Sequence, residues 1–226
     1  MKSIMTAAVL TTAAALMAAA ETPGAADAAP DRITASDALV KMPAQTLDIL
    51  STSMRLDLLD YYRADSIYRV PNVMEGFSWL HRPLTDDYAK VQVTPVTTLT
   101  LKVLPWKKKQ IVMSVYTIGD SLQAADSDIR FYDSSMRELD PARFIRLVTT
   151  EDFIESEGTD RRTRKELAEM IPFPTVEYTI APDSGELRAT LTSGTYLGKE
   201  EAEKLTPHLR KERTYRWTGT RFELGK

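Results

Sequence analysis

Thr97-Thr98-Leu99-Thr100-Leu101-Lys102-Val103-Leu104-Pro105-Trp106-Lys107-Lys108-Lys109-Gln110-Ile111-Val112-Met113-Ser114-Val115 is the stretch that decides the fold. Leu99, Leu101 and Val103 alternate with Thr98, Thr100 and Lys102, and Ile111, Met113 and Val115 resume the rhythm after a break. A period of two sends successive side chains to opposite faces, so each run is read as a strand with one buried face. The break, Pro105 to Lys109, is short enough for a hairpin loop whose three lysines sit on a solvated tip. Upstream, Val91 and Val93 alternate with Lys90, Gln92 and Thr94. Downstream, Ile129 and Phe131 start another strand, which Asp133 and Ser134 end in a turn.

Helices flank this block. Ser36 is placed to cap a short helix ending near Met42, where Pro43 removes an amide donor. From Ser53 to Ala64, Met54, Leu58, Leu59 and Tyr62 form an apolar stripe, with Arg55, Asp57 and Asp60 assigned to the rest of the helix surface. Thr149 and Asp152 resemble a capping box ahead of Phe153 and Ile154, and Asp160 to Met170 reads as a charged amphipathic helix. Strands return at Val176, Tyr178 and Ile180, then at Leu187, Ala189 and Leu191, with Asp183-Ser184-Gly185 turning between them. Lys199 to His208 is a short helix, and Tyr215 to Leu224 folds back on itself as a terminal hairpin. The sum is an α+β chain: antiparallel sheets built from hairpins, with several short helices, as two sheets in one compact body. Residues 33–226 are read as a single domain, and Pro172 to Pro174 mark a joint between possible lobes 33–171 and 175–226.

The first residues carry an address. Lys2, an uncharged run from Ile4 to Met17 and the small residues Ala18-Ala19-Ala20 have the pattern of a signal peptide over 1–20, leaving Glu21 first; a cut after Ala28 also fits. Residues 21–32, rich in Ala, Pro and Gly, read as a flexible leader. The expected home is the periplasm or the exterior. With no Cys in the chain, neither a disulfide nor a lipid anchor on an N-terminal Cys is open to it. No second apolar run reaches the roughly 18 residues of a transmembrane span. The net charge is −3, and loss of Lys2 makes the mature chain one unit more negative, which argues against nucleic acid as a partner.

Chemistry-bearing residues are sparse. His81 and His208 are the only histidines and lie far apart, which is poor material for zinc or a nucleophile–base pair. Asp57, Asp60 and Arg55 are explained by ion pairing along a helix without a substrate. Asp120, Asp126 and Asp128 surround an oxygen-rich stretch from Ile118 to Asp128, read as a loop and as the one place suited to calcium, the only cofactor the sequence suggests. Asp86 and Asp87 precede a strand and are candidates for ligand contact. Trp106, beside Lys107 to Lys109, is the candidate anchor for a partner.

Arg55-Leu56-Asp57-Leu58-Leu59-Asp60-Tyr61-Tyr62, Leu84-Thr85-Asp86-Asp87-Tyr88 and Asp126-Ser127-Asp128-Ile129-Arg130-Phe131-Tyr132 together resemble the domain-of-unknown-function family DUF3256, exported proteins of Bacteroides-type bacteria. The resemblance extends from about Ala35 to Phe222. It implies a Gram-negative host and a periplasmic or outer-surface home, and it carries no activity. The preferred reading is therefore a non-enzymatic binding module with a protein, peptide or glycan partner at the cell envelope. The rivals are a hydrolase drawing carboxylates from Asp86, Asp87, Asp126 and Asp128, possible with a divalent ion, and a structural calcium site.

Overall fold

The computed structural model describes residues 32–65, 69–120, 123–155, 157–171, 173–193 and 197–225, with Asp120 and Gln123 described by their backbone alone. The signal peptide and nearly all of the leader read from the sequence lie outside these residues, as does Pro172 of the expected joint. Helices α1 (Ala35–Lys41) and α2 (Thr52–Arg63) come first. They are followed by β1 (Val70–Pro71), β2 (Phe77–Leu80), β3 (Tyr88–Thr94), β4 (Thr97–Trp106), β5 (Lys109–Asp120), β6 (Gln123–Asp133) and β7 (Glu138–Leu139). Then come α3 (Arg161–Glu169), β8 (Val176–Ile180), β9 (Glu186–Leu191), α4 (Lys199–Leu205), β10 (Glu212–Trp217) and β11 (Phe222–Leu224). Among the described residues, β1 to β7 form one antiparallel meander and β8 to β11 a second. The α+β class with two hairpin-built sheets is what the alternation predicts.

One expectation fails in an informative way. The central strands are not buried on one face only: Ile111, Val112, Met113, Ser114 and Val115 are all buried in succession. The two sets of side chains enter two different cores. Leu99, Leu101, Val103, Val112 and Tyr132 pack with Leu39, Leu47, Leu50, Leu58 and Leu59 from the helical side. Leu104, Ile111, Met113, Val115, Ile129 and Phe131 pack with Tyr178, Leu187, Ala189, Tyr215 and Phe222 of the second sheet. The molecule is thus layered as helices, sheet, sheet, and a strand in the middle layer must be apolar on both faces.

Turns are tighter than expected. Trp106 pairs with Lys109, leaving Lys107 and Lys108 as the β4–β5 turn, with Lys107 at φ +56°. The stretch from Ile118 to Asp128, expected as a loop, is mostly strand: Ile118 pairs with Asp126 and Tyr116 with Asp128. Helix α1 is capped by Thr34, not Ser36, and the Asp37 carboxylate completes the box by accepting from the Thr34 N–H. The capping box expected at Thr149 and Asp152 is present and opens a short 3-10 turn.

Two cations reverse their expected positions. Arg55 is 2% exposed, with its guanidinium inside the segment joining α1 to α2. Nε donates to Leu50 O at 2.8 Å, Nη2 to Leu47 O at 2.8 Å, and Nη1 to Met42 O at 2.5 Å and Val40 O at 3.4 Å. Carbonyls at the end of α1 and in a buried loop need donors, and the rigid fork of an arginine reaches several at once. Burial pulls the pKa of Arg55 down, but an arginine stays charged. Lys102 is also buried, between the sheets, where Nζ meets Asp87 Oδ2 at 2.7 Å and donates to Pro182 O.

The second sheet is tied down through its edge. Strand β8 has one side without a strand neighbour, and its outward amides find side chains on β6. Val176 N donates to Asp126 Oδ1 at 3.1 Å, and Tyr178 N to Ser127 Oγ at 3.0 Å. At the other end, Trp217 Nε1 donates to Pro105 O at 2.9 Å. An edge strand closed in this way is no template for aggregation.

Arg55→Met should lower unfolding free energy by about 3 kcal/mol, because buried carbonyls lose charged donors. Asp57→Ala and Asp60→Ala, on the exposed face of the same helix, should each change it by less than about 0.5 kcal/mol. Urea denaturation of the three variants measures both; a loss for Arg55→Met no larger than for the two aspartates would remove the keystone role.

Candidate functional site

Strand β2 is Phe77-Ser78-Trp79-Leu80, and its alternation splits it cleanly. Ser78 turns inward, fully buried, and bonds Val93 O at 2.6 Å. Phe77 and Trp79 turn to the face opposite the helices, and His81 follows at the same spacing because its N–H pairs with Lys90 O at 2.8 Å. Register then builds two rungs across three strands. Trp79 lies opposite Gln92, which lies opposite Thr98; His81 lies beside Lys90, which lies opposite Thr100. All six are half-buried. Strand β8 packs over β5 and β6, and among the described residues no comparable layer packs over this face of β2, β3 and the start of β4.

The face is rigidly specified. The guanidinium of Arg69 stands 4.5 Å from the centroid of the Trp79 ring, and the His81 ring centroid lies 6.0 Å from it, tilted 53°. Gln92 Nε2 reaches Thr94 O at 2.7 Å and Thr97 O at 3.3 Å. Carbonyls only accept, so the amide nitrogen must face them and Oε1 must face His81 Nε2, 3.0 Å away. That nitrogen therefore carries a proton. Behind the face, buried Asn72 accepts from Met74 N and Gly76 N and donates to Ser78 Oγ and Val93 O. It holds a turn that leaves Val73 60%, Met74 66% and Phe77 51% exposed. Large apolar side chains held rigid in water mark a contact surface.

The residues singled out from the sequence lie elsewhere. Asp86 offers its backbone carbonyl to Ala35 N at 2.8 Å, which seats the start of α1. Asp87 is engaged by Lys102 and by Thr85 Oγ1 at 2.7 Å. Asp126 accepts from Val176 N, and Asp128 is paired with Arg130 at 2.6 Å. Asp126 and Asp128 share one face of β6, whereas the Asp120 side chain is outside the described residues. Among the described residues, no group of three His, Asp or Glu is placed to hold a metal. Asp87 O bonds Val103 N on the rung of Tyr132, six residues along β6 and three strands across from Asp126, so the two residues stand about 25 Å apart. The four carboxylates considered for hydrolysis do not converge.

Trp106 packs edge-on against Phe144, centroids 5.5 Å apart, with Arg143 and Lys107 over its ring. One cleft of about 540 Å³ lies beside the second sheet, walled by Met170, Ile171, Phe173 and Leu197, with Ser193 and Glu201 as its polar members. The Ser193 hydroxyl is buried and has no hydrogen-bond partner. A lone hydroxyl and a lone carboxylate with no base beside them are not an acid–base pair.

The model of the family described as protein of unknown function (DUF3256) matches residues 33–222. The chain belongs to DUF3256. A solved domain of an uncharacterized protein from Porphyromonas gingivalis W83 has the same fold, with a TM-score of 0.71 at 22% identity over 87% of this chain and 98% of that one. No curated protein matches. Within this DUF3256 chain, the quoted Arg55-Leu56-Asp57-Leu58-Leu59-Asp60-Tyr61-Tyr62 segment acts structurally through Arg55 and through Tyr62, whose hydroxyl accepts from Leu84 N at 2.9 Å.

The signal for the aromatic face was present as Phe77-x-Trp79-x-His81, a row at strand spacing. In the sequence His81 stands alone, far from the other histidine, and only the register brings Gln92, Lys90, Thr98 and Thr100 alongside.

The Asp87 carboxyl feels burial, which raises its pKa, and the hydrogen bonds of Lys102 and Thr85, which together prevail and lower it. A carboxyl lowered on folding adds stability above its unfolded value near 3.9, and that contribution disappears as pH falls through the folded value. Asp87→Asn should therefore reduce stability at pH 7 and show a flatter decline between about pH 5 and pH 2. Thermal melting across that range checks it; parallel acid limbs for the two proteins would dismiss the pair as a pH-linked contact.

Proposed function

We propose that this DUF3256 protein is a non-catalytic binding module of the cell envelope, working in the periplasm or outside the cell after its signal peptide is removed, and that the face of Phe77, Trp79 and His81 is where it binds. The observation that carries this reading is a row of aromatic side chains on a face that neither the helices nor the second sheet covers, braced from behind by Asn72. Folding gains nothing from leaving Phe77, Val73 and Met74 in water, since burying such a side chain is worth about 1.5–3 kcal/mol. A partner that covers them recovers that energy, and rigid aromatic anchors lose little conformational entropy on contact.

Residue chemistry favours binding over turnover. Among the described residues the two rungs hold one imidazole and no carboxylate, which is sufficient for recognition and insufficient for acid–base hydrolysis. No described helix is long and apolar enough to cross a membrane. Protein, peptide and glycan partners all present the mixture of apolar and hydrogen-bonding surface that this face complements.

The test is capture from an envelope fraction by immobilised protein. Trp79→Ala and Phe77→Ala should each weaken capture by about tenfold, the loss expected of an anchor worth more than 1 kcal/mol. Trp106→Phe, about 25 Å away along β4, should capture as the wild type does. Undiminished capture by both folded alanine variants would refute the assignment of the face.

A further inference from the structure

We propose that the cleft of about 540 Å³ beside the second sheet is a site for an apolar organic amine that also carries a neutral hydrogen-bonding group. That chemistry occurs in small free amines and at the amino end of a peptide with an apolar first residue. The site is separate from the Phe77 and Trp79 face, and the proposal does not rest on that face.

Two segments distant in sequence build the cleft. Met170 and Ile171 close helix α3, with Phe173 just beyond; across from them stand Ser193, past the end of β9, and Leu197, at the approach to α4. The walls are mostly hydrocarbon. Ile171 is buried, Met170 and Leu197 are half-buried, and Phe173 is 80% exposed. Small-molecule sites have this lining and span about 300–1,000 Å³, with a few placed polar groups to orient the ligand.

Both polar groups of this cleft are unengaged. Ser193 is 2% exposed, and its hydroxyl, able to donate and to accept, has no hydrogen-bond partner. Burying such a group dry costs its full desolvation, and the packing around it returns nothing. A ligand amide, carbonyl or hydroxyl seated in the cleft completes it. Glu201 supplies charge. Its carboxylate occupies the space that a Cβ on Gly198 would need, so the absent side chain of Gly198 is what lets it lie along the cleft wall. On α3 and α4 the ion pairs join Arg162 to Glu166, Lys165 to Glu169 and Lys199 to Glu203. Among the described residues no cation pairs with Glu201, and no basic residue lines the cleft. A lone carboxylate beside apolar walls selects a protonated amine and rejects an anion.

The experiment is isothermal titration of the full mature chain with phenylalanine amide, its N-acetyl derivative, phenethylamine and phenylalanyl-alanyl-alanine amide. Phenylalanine amide should bind at least about tenfold more tightly than the uncharged N-acetyl derivative, and more weakly as salt rises. Phenethylamine keeps the ring and the charge but lacks the amide, and should bind about fivefold more weakly. Glu201→Gln should lower affinity for phenylalanine amide about tenfold and Ser193→Ala about fivefold, whereas Trp79→Ala leaves it unchanged. Without ligand, Ser193→Ala should melt no lower than the wild type, because it removes a dry hydroxyl. Tighter binding of the tripeptide amide than of phenylalanine amide assigns the site to peptides, and tighter binding of phenylalanine amide assigns it to small amines. No binding at millimolar ligand, equal affinity for phenylalanine amide and its acetyl derivative, or a melting temperature lowered by Ser193→Ala overturns the proposal. Loss of amine binding in Trp79→Ala moves the ligand to the other face and overturns it too. Envelope capture through Trp79 is read separately, so either site can fall while the other stands.

Discussion

A sheet whose central strands are apolar on both faces cannot exist alone in water, and that constraint organises the rest of this molecule. Strands β4 and β5 form the long hairpin of the middle layer, with Leu101, Val103 and Val112 on one side and Leu104, Ile111 and Met113 on the other. Each side needs a cover. No cysteine is present to fasten either cover, so packing and polar ties must do it.

The two covers are fastened by different means. On the helical side, Arg55 gathers the carbonyls of Val40, Met42, Leu47 and Leu50. Without it, the loop between α1 and α2 would lose the charged donors to these four carbonyls, and with them the tie that sets the helices against each other. On the opposite side, Lys102, Asp126 and Ser127 reach from the first sheet to the backbone of the second. These are sheet residues whose polarity reads as solvent exposure in one dimension. In three dimensions they are the joints between layers.

The candidate site follows from incomplete coverage. Seven strands are a wider surface than four can cover, and the surplus lies at β1 to β3. There the row of Phe77, Trp79 and His81 meets water, stiffened by Asn72 and Gln92. The proposed contact face thus lies on a part of the middle layer that neither core uses. The acidic residues that stand out in the sequence have the opposite fate: Asp87, Asp126 and Asp128 are each occupied by a neighbour.

The alternation around Leu99, Ile111, Val176 and Leu187 determined the strands, their hairpin connections and the α+β class, because a period of two is a local property of the chain. The capping pair Thr149 and Asp152 and the turn at Asp183-Ser184-Gly185 are legible for the same reason. What the tertiary structure alone decided is which faces are shared. Arg55 sits on its helix as any charged surface residue would, and only the loop folded around it makes it a buried donor. Val112 and Ser114 follow the same alternation as the residues beside them, and only a second cover buries them. Trp79, Gln92 and Thr98 are far apart in sequence, and strand register, a long-range property, puts them on one rung.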